Sequence, residues 1–385
     1  MHKIKSILGF MLAMIKLICL YPIGKLFYSK KKIWLFCERG NDAKDNSFTF
    51  FKWINTNHPE IKSVFLISKK SDDLNKVLSI GEICYYKSLK HWLMFVGSSV
   101  RLDTHLFFYV PNKYLAVYYM KHHKKSGLDI FLQHGITHNW QDCFYKANNK
   151  SDIVICGAKP EYNYLLNNFD LGNDILKLTG FPRFDTLINR ESNDDKFILI
   201  MPTWRKWLSN LSIHKFCESD FFLAYSNLIK NKDLQNWATN NGYRLVLCLH
   251  PSFTVYKSSF IPLINENVDV VLGDYDVQDL LCRASMLITD YSSILFDFAY
   301  LKKPTVYYQF DSELFYTKQY KHGYFVIDEN GFGPTANSIE DVVAEVKRNT
   351  TINIIYKKRI NNFFDLCDER NCERTFNEIL EKYNK

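Results

Sequence analysis

The chain has 385 residues, enough for two domains of ordinary size. Hydrophobic residues make up 47% and charged residues 23%, which excludes an intrinsically disordered chain. The net charge is +8, yet no helix-turn-helix, RNP or zinc-finger pattern occurs, so we expect no nucleic-acid partner. None of the 10 cysteines belongs to a C-x-x-C pair, which indicates reduced thiols in the cytoplasm rather than disulfides or a zinc site.

An apolar segment with basic flanks opens the chain, MHKIKSILGFMLAMIKLICLYPIGKLFY. No convincing signal-peptide cleavage site follows it, and Lys16 near its centre would cost about 3 kcal/mol in a spanning helix. A helix lying in the membrane interface tolerates Lys16, and the nearby Lys30, Lys31 and Lys32 would attract anionic lipid. We therefore expect residues 1–32 to attach the protein peripherally to the cytoplasmic face of the cell membrane. A spanning helix and a helix packed on the protein stay open as alternatives.

From residue 33 onward, short β-rich runs alternate with helical stretches. In the first series the predicted strands lie in KIWLFCERG, SVFLISK, ICYYK, VRLDTHL, LDIFLQHG, SDIVICG and LKLTGFPRFD, with helices in KHWLMFVGS and PEYNYLLNNF. A polar break, NDDK, at 193–196 separates them from a second series. Its strands lie in FILIMPTWR, YRLVLCLHP, VDVVLGDYD, MLITDYSS and PTVYYQFD, and its helices near 219–241, in VQDLLCRA and ILFDFAYLKK, near 338–348 and near 353–383.

This alternation predicts an α/β protein with doubly wound parallel sheets. Two successive series of similar size indicate the GT-B architecture, in which two Rossmann-like domains face each other across a cleft. We expect a membrane-associating segment at 1–32, Rossmann-like domains at 33–192 and 193–350, and a C-terminal helix at 351–385 that packs back across the domains.

Two histidines follow apolar runs directly, His134 in FLQHGITHN and His250 in LCLHPSFTVY. Pro251 should keep His250 extended, and Gly135 permits close backbone approach beside His134. Ligands bind at strand tips of α/β sheets, where an imidazole can act as a general base. One histidine could thus take a proton from a hydroxyl while the other donates to a phosphate oxygen. The alternative is two turn histidines without a chemical role.

The stretch LITDYSSILFDFAYLKKP at 287–304 is a second candidate site. An apolar strand ends at Thr289 and is followed by Asp290, Ser292, Ser293 and an apolar-periodic helix. Backbone N–H groups and the dipole at a helix start suit a phosphate, and small hydroxyls add donors. Plain capping of the helix by a serine is the alternative.

Three further patterns give weaker signals. Arg205 in MPTWR lies just beyond a strand, where it could meet a phosphate, and Arg183 and Asp185 follow a proline turn in TGFPRFD. The D-x-D pattern formed by Asp274 and Asp276 is typical of metal-dependent glycosyltransferases, but Asp276 also suits a helix N-cap. Because no acidic cluster has ligand spacing, we expect neither a catalytic metal nor a cofactor.

Taken in order, the motifs resemble the CDP-glycerol:poly(glycerophosphate) glycerophosphotransferase family of teichoic-acid and capsule polymer enzymes. They are ERGNDAKDN at 38–46, QHGIT at 133–137, GFPRFD at 180–185, PTWR at 202–205, HP at 250–251, ITDYSSILFDFAYLKKPTVYY at 288–308 and CERT at 372–375. The resemblance extends from about residue 33 to about residue 380, and the long ITDYSS block is its most specific part.

The resemblance implies transfer of glycerol phosphate, or a related polyol phosphate, from a CDP-activated donor to a hydroxyl of a lipid-linked acceptor, with release of CMP. It implies that His134, in the acceptor-side domain, is the base and that His250 contacts the donor phosphate. The donor-binding candidates are Arg205, Thr289, Asp290, Ser292, Ser293, Glu373 and Arg374. The acceptor-side candidates are Gly135, Arg183 and Asp185.

Two departures from the family pattern leave the acceptor-side detail and the polyol of the donor open. The chain has HGITHN where many members have HGTP followed by a lysine, and its ERGNDAKDN opening resembles the capsule-associated branch, in which the polyol or sugar varies. Two other functions compete with the phosphotransferase. One is a GT-B glycosyltransferase that uses a nucleotide sugar in capsule or cell-wall polysaccharide synthesis. The other is a catalytically silent binding subunit of a capsule assembly complex.

Overall fold

The computed structural model describes residues 2–122, 126–188, 196–271 and 275–385. Contacts divide the chain into two compact units. Unit 1 comprises Met1–Ile136, Asp142–Ile188 and Asp368–Lys385, and unit 2 comprises Thr137–Gln141 and Asn189–Cys367. The predicted fold class, two α/β units each built on a parallel sheet, is confirmed.

Unit 1 contains a seven-stranded parallel sheet in the order β3-β2-β1-β4-β5-β6-β7. Its strands are β1 (Trp34–Cys37), β2 (Ser63–Ile67), β3 (Glu82–Tyr85), β4 (Val100–Asp103), β5 (Leu128–Phe131), β6 (Ile153–Cys156) and β7 (Leu176–Leu178). The central strands are continuous buried runs, as parallel sheets covered on both faces require. The strand order reverses between β1 and β4, and ligands of such sheets bind beyond the strand ends at that reversal.

Helices cover this sheet, and one of them comes from the far end of the chain. They are α1 (His2–Tyr28), α2 (Asn46–Asn57), α3 (Leu74–Leu78), α4 (Leu89–Gly97), α5 (Lys113–His122), α6 (Lys159–Asn168), α7 (Phe184–Ile188) and the C-terminal α17 (Asn371–Tyr383). Short 3₁₀ turns lie at Ser29–Lys31 and Asp142–Phe144.

Unit 2 contains a six-stranded parallel sheet in the order β10-β9-β8-β11-β12-β13. Its strands are β8 (Phe197–Ile200), β9 (Arg244–Cys248), β10 (Val268–Val271), β11 (Met286–Thr289), β12 (Thr305–Tyr308) and β13 (Thr335–Ala336). The order reverses between β8 and β11, so the ends of these two strands mark the expected ligand edge of unit 2.

The helices of unit 2 follow its strands along the chain. They are α8 (Ile213–Cys217), α9 (Asp220–Lys230), α10 (Lys232–Asn240), α11 (Val277–Arg283), α12 (Ile294–Tyr300), α13 (Ser312–Lys318), α14 (Ile327–Asn330), α15 (Ile339–Arg348) and α16 (Ile354–Phe363). Segments of 3₁₀ helix lie at Lys206–Leu208, Pro251–Ser259 and Ile261–Leu263.

Two predicted long helical stretches are each broken in two. The stretch near 219–241 divides at Asn231, whose side chain accepts the N–H of Leu234 and starts α10. The stretch near 353–383 divides between α16 and α17, because the carboxylate of Asp185 accepts the N–H groups of Asn371 and Cys372 and starts α17 there. Residues 193–195 of the predicted polar break lie outside the described residues.

The N-terminal helix α1 packs on unit 1 along α4 and α5. Ala13 and Leu17 are buried in a core that also contains side chains of β1 and β2. Lys16, the charge that interrupts the apolar segment, places its Nζ 4.7 Å from the ring centroid of Trp92 in α4. The packed helix, one of the alternatives left open by the sequence, is therefore part of the structure.

The turn at 180–185 is the place where α17 joins unit 1. Gly180 has φ +73°, and a Cβ there would collide with the side-chain amide of Asn371 at the start of α17. The motifs GFPRFD and CERT thus meet at one docking point, with Asp185 capping the helix that carries the second motif.

We predict that Gly180→Ala destabilises the protein more than Gly242→Ala. Gly242 has a similar φ of +76° but nothing within 4 Å of its would-be Cβ, so its substitution costs only the backbone strain of about 1–2 kcal/mol. Gly180→Ala adds displacement of the α17 start. Urea unfolding of both variants measures the difference, and equal losses of unfolding free energy would contradict the docking role.

Candidate functional site

His134 lies three residues beyond β5, at the carboxyl edge of the sheet of unit 1. Its Nδ1 is 3.2 Å from the carbonyl oxygen of Thr104, in the loop after the neighbouring strand β4. A carbonyl oxygen only accepts, so Nδ1 carries the proton and Nε2 of the neutral ring keeps its lone pair. His134 is an exposed residue by its total surface, and the lone pair on Nε2 can accept a proton from a bound hydroxyl.

The backbone that leads into His134 is held in an uncommon conformation. Gln133 has φ +54°, which costs a non-glycine residue about 1–2 kcal/mol. The side-chain amide of Asn46 donates to the carbonyl oxygens of Leu132 at 3.1 Å and Gln133 at 2.8 Å. The Gln133 amide in turn donates to the carbonyl of Ile155 at 2.6 Å. These hydrogen bonds hold the backbone that directly precedes His134 and thereby fix the position of its Cα atom.

The motif ERGNDAKDN forms the loop that places Asn46. The buried carboxyl of Glu38 accepts the backbone N–H groups of Lys44 and Asp45 at 2.9 Å and of Phe48 at 3.0 Å. Desolvation raises the pKa of Glu38 to about 8, with the charge of Asp45 acting in the same direction. The loop therefore wraps around one buried carboxyl group, and α2 begins beside His134.

Arg183 and Asp45 form a charged pair next to this histidine. Nη1 of the buried Arg183 lies 2.9 Å from Oδ1 of Asp45, and the backbone N–H of Arg183 donates to Oδ1 of Asn46 at 3.1 Å. Desolvation lowers the pKa of His134, Asp45 opposes this shift, and the charges of Arg39 and Arg183 reinforce it. The lowered pKa favours the neutral form of His134, which is the form that a general base requires.

The structure also brings His105, which is not among the residues predicted from the sequence, to His134. The two imidazole rings stack with centroids 4.4 Å apart and an angle of 9° between their planes. The run VRLDTHL was interpreted as strand, but β4 ends at Asp103 and the histidine lies in the following loop. A polar triplet, Asp-Thr-His, directly after an apolar run was the available signal.

His250 lies at the corresponding edge of unit 2, two residues beyond β9. Its φ of −56° and ψ of 141° confirm the extended conformation expected before Pro251. Its Nδ1 accepts the backbone N–H of Ser252 at 3.1 Å, so in the neutral ring the proton sits on Nε2. His250 and His134 thus hold opposite tautomers, one arranged to donate from Nε2 and the other to accept there.

Arg205 is fully buried and forms the centre of an ionic network in unit 2. Its Nε and Nη2 donate to the two carboxylate oxygens of Asp311 at 2.8 and 2.9 Å. Nη2 also lies 2.8 Å from Oδ2 of Asp290, and Nη1 donates to the carbonyl of Thr203 at 2.6 Å. The predicted contact of Arg205 with the donor stays a prediction, because these protein groups already accept from its Nε and from both terminal nitrogens.

Asp290 and Thr289 are also fully buried, at the end of β11. Oδ1 of Asp290 accepts the N–H and the hydroxyl of Thr203 at 2.8 and 2.6 Å and the N–H of Tyr291 at 2.6 Å. The Thr289 hydroxyl donates to the carbonyl of Met201 at 2.7 Å. Through these hydrogen bonds both side chains stabilise the turn that follows β11. Direct contact of Thr289 or Asp290 with a donor stays a prediction.

Ser292 and Ser293 occupy this turn and are partly exposed. Ser293 is the N-cap of α12 but makes no side-chain hydrogen bond to the helix. The Ser292 hydroxyl is 3.5 Å from the N–H of Ile294, at the outer limit of a hydrogen bond. Plain capping therefore accounts poorly for this pair of hydroxyls, and both can turn toward a ligand.

The late candidates Glu373 and Arg374 belong to α17 and hence to unit 1. Arg374 donates to the carbonyl of Thr179 at 2.8 Å and pairs with Asp368, and Glu373 pairs with Arg370 at 2.7 Å. Arg374 thereby attaches α17 to the chain just after β7, whereas the Glu373–Arg370 pair lies within the start of α17 itself. Their role at the donor stays a prediction.

The three acceptor-side candidates lie in different surroundings. Gly135 is partly exposed beside His134, whereas Asp185 caps α17 and Arg183 pairs with Asp45. An acceptor contact of these three residues stays a prediction.

Among the described residues, no group of three or more His, Cys, Asp or Glu side chains is arranged to hold a metal ion. Asp276 accepts the N–H groups of Gln278 at 2.9 Å and Asp279 at 3.3 Å, which confirms its interpretation as the N-cap of α11. Asp274, the other half of the D-x-D pattern, lies outside the described residues.

Comparison with known proteins places most of the chain in one family. The family model described as CDP-Glycerol:Poly(glycerophosphate) glycerophosphotransferase matches residues 22–381. The minor teichoic acid biosynthesis protein GgaB of Bacillus subtilis (strain 168) is 32% identical over 375 residues, which is 93% of this chain and 40% of GgaB. The teichoic acid glycerol-phosphate transferase of Staphylococcus aureus (strain NCTC 8325 / PS 47) is 24% identical over 74% of this chain and 75% of its own length.

Solved structures show the same fold. A variant of the wall teichoic acid polymerase TagF superposes with a TM-score of 0.74 at 18% identity, over 100% of this chain and 98% of that one. The MnaA–UDP structure from S. aureus superposes with a TM-score of 0.58 at 14% identity, over 92% and 97%. The GT-B fold class predicted from the sequence is thereby confirmed.

We predict that Arg205→Ala lowers the free energy of unfolding by about 3–5 kcal/mol, because it leaves two carboxylates buried without their cation. The free energy of unfolding of the control Ser292→Ala should stay within about 0.5 kcal/mol of wild type, because the Ser292 hydroxyl makes only one long hydrogen bond, to the N–H of Ile294. Urea unfolding of both proteins checks this. An Arg205→Ala protein that is as stable as wild type but has lost donor affinity would instead favour direct donor binding.

Proposed function

Because this chain belongs to the CDP-glycerol:poly(glycerophosphate) glycerophosphotransferase family, we propose that it transfers glycerol phosphate, or a related polyol phosphate, from a CDP-activated donor to a hydroxyl of a teichoic-acid or capsule-type polymer. The acceptor oxygen forms a new bond to the polyol phosphorus. The bond between that phosphorus and the bridging oxygen breaks, and CMP leaves. The hydroxyl proton passes to a base on the protein.

His134 is the base in this proposal. Its Nδ1 hydrogen bond to the Thr104 carbonyl leaves the Nε2 lone pair to accept the hydroxyl proton, and its lowered pKa keeps that lone pair available at neutral pH. A positioned general base typically contributes a factor of about 10² to 10⁴ in rate. The opposite tautomers of His134 and His250 are the single observation that supports the proposal most strongly.

His250 and the serine turn bind the donor phosphates in this proposal. With its proton on Nε2, His250 can donate to a phosphate oxygen that gains negative charge as the bond to CMP breaks. The hydroxyls of Ser292 and Ser293 add donors at the edge of the sheet where its strand order reverses. The convergence of His134 and His250 on one substrate stays a prediction.

The substrate class is tested by incubating the protein with CDP-glycerol, CDP-ribitol, UDP-sugars and CMP-sugars, each with a lipid-linked or soluble polymer acceptor. We expect release of CMP from a CDP-polyol, with and without EDTA, and no consumption of nucleotide sugars. Consumption of a nucleotide sugar alone would favour the glycosyltransferase. If every donor stays intact while nucleotide still binds, the protein is a binding subunit. Activity lost in EDTA and restored by Mg²⁺ would overturn the expected independence of metal.

We predict that His134→Ala abolishes transfer with little loss of donor affinity, whereas His250→Ala and Ser292→Ala weaken both. The first removes the base and should lower kcat by about 10² to 10⁴. The others each remove a hydrogen bond to a charged phosphate, worth about 1.5–3 kcal/mol. Calorimetric titration with CDP-glycerol and steady-state kinetics separate the two effects. A folded His134→Ala protein with near wild-type kcat would remove this residue from the mechanism.

We further propose that the outer face of α1 attaches the protein peripherally to the cytoplasmic face of the membrane, where it meets a lipid-linked acceptor. The helix is long and apolar enough to cross a membrane, but its inner face packs in the core of unit 1, which favours a helix lying on the surface. The outer face is formed by exposed apolar side chains: Ile7, Leu8, Met11, Leu12, Ile15, Ile18, Tyr21, Ile23, Leu26 and Phe27. Phe10 contacts Tyr118 of α5, which extends this apolar surface to a second helix.

We predict that the triple variant Met11→Gln/Ile15→Gln/Ile18→Gln binds anionic phospholipid vesicles at least about 10-fold more weakly than wild type, because burial of each apolar side chain contributes roughly 1.5–3 kcal/mol. These three side chains are 54%, 56% and 65% exposed, so the core should stay intact. The matched control is Ile354→Gln/Ile355→Gln in α16, which are 81% and 60% exposed.

Vesicle flotation measures the binding, and transfer to a soluble acceptor analogue should be unchanged in both variants. If the triple variant floats as well as the control, α1 is not the membrane-binding surface.

A further inference from the structure

The ring stack between His105 and His134 joins the loops that follow two adjacent strands, β4 and β5, of which β4 borders the reversal of the sheet of unit 1. β4 and β5 are paired in register, with Asp103 opposite Phe131. The chain beyond each strand therefore reaches the same edge, and the two imidazoles meet there nearly parallel, with centroids 4.4 Å apart. Thr104, adjacent to His105, supplies the carbonyl oxygen bound by Nδ1 of His134. Residues 104 and 105 thus contact both the edge and the face of the His134 ring.

The hydrogen bonds of His105 identify its own tautomer. Nε of Arg39 donates to Nε2 of His105 at 3.1 Å, so this nitrogen must be an acceptor. The remaining proton sits on Nδ1, which is 3.0 Å from the hydroxyl oxygen of Thr104. Protonation of Nε2 would break the Arg39 hydrogen bond and bring two positive charges together. Desolvation, with contributions from His134 and Arg39, lowers the pKa of His105 to about 2.

The loop that carries His105 is itself held in place. The carboxyl of the buried Asp103 accepts the backbone N–H of Phe108 at 2.8 Å and closes the loop back onto the end of β4. Phe107 has φ +61° within this closed loop. The side chain of His105 is partly buried. The loop hydrogen bond and the partial burial therefore hold the His105 ring in a defined position beside His134.

We propose that His105 is a positioning residue for His134: its neutral ring, held between Arg39 and Thr104, fixes the plane of the His134 imidazole with Nε2 facing solvent. The proposal rests on the proposed role of His134 as the base. A neutral stacking partner adds no charge that would protonate or repel His134 before the reaction. When His134 becomes an imidazolium, the π face of His105 can stabilise the new charge.

Three variants separate stacking from hydrogen bonding. His105→Ala removes the ring, whereas His105→Phe keeps a ring and loses both hydrogen bonds. His214→Ala is the matched control, because His214 is an exposed histidine that pairs with Glu218 in unit 2. Three properties should be measured for each folded variant: kcat and KM for CDP-glycerol, the pH profile of kcat/KM, and the titration of His134 by NMR of ¹³C-labelled histidine.

We expect His105→Ala to lower kcat by about 10-fold with KM changed less than about 2-fold, since general-base catalysis depends on alignment. His105→Phe should recover most of kcat, and His214→Ala should match wild type. With less desolvation around His134, its titration and the acidic limb of kcat/KM should move to higher pH in His105→Ala. The charges that face His134, namely Asp45, Arg39 and Arg183, are unchanged in all three variants.

The proposal is overturned if His105→Ala has the kcat and the His134 titration of wild type. It is also overturned if His105→Phe is as impaired as His105→Ala, or if the only loss is in thermal stability. Failure of the proposed function looks different: wild-type protein would then release no CMP from any CDP-polyol. In that case the NMR titration of His134 in His105→Ala would still report whether the stack controls that ring.

Discussion

The hydrogen bond between Nδ1 of His134 and the carbonyl oxygen of Thr104 decides which nitrogen of this histidine can accept a proton. It depends on three other features of unit 1. The pairing of β4 with β5 brings the two loops together, Asn46 holds the backbone before His134, and the Glu38 carboxyl holds the loop that carries Asn46. Glu38 and Thr104 directly follow β1 and β4, the two strands between which the sheet order reverses, and Asn46 starts the helix that follows β1. The chemistry assigned to His134 is thus a consequence of sheet topology as much as of residue type.

At the equivalent edge of the sheet of unit 2, an ionic network takes the place of these neutral hydrogen bonds. A buried arginine and two buried carboxylates, Asp290 and Asp311, connect the ends of β8, β11 and β12. Desolvation makes such a network a weak source of stability, but it fixes geometry because every charge must keep its partner. The result is a turn after β11 with two partly exposed serine hydroxyls, at the same edge of the sheet as His250, which follows β9 on the other side of β8. In our interpretation, the charged residues hold the site together and the neutral ones meet the ligand.

The sequence was sufficient to predict the fold and to place His134 and His250 just beyond the ends of strands, whereas their chemical roles stay predictions. Short apolar runs such as WLFC and IVIC, bounded by polar turns, are strands in the structure, and His134 and His250 follow the strands LDIF and RLVLC. His105 was overlooked because VRLDTHL was interpreted as strand throughout, whereas β4 ends at Asp103, whose carboxyl accepts the N–H of Phe108 in the following loop. The full burial of Arg205 could not be predicted from the sequence either, because its main partner, Asp311, is distant along the chain. The tautomers of the histidines depend on backbone groups that only the folded chain brings near.

The central claim is that the two histidines hold opposite tautomers before substrate binds. Nitrogen NMR of ¹⁵N-histidine-labelled protein at pH 7.5, assigned with the His134→Ala and His250→Ala variants, measures this directly. The account predicts a neutral His134 with its proton on Nδ1 and a neutral His250 with its proton on Nε2. A protonated imidazolium at His134, or a proton on its Nε2, would leave no lone pair for the acceptor hydroxyl and would contradict the account.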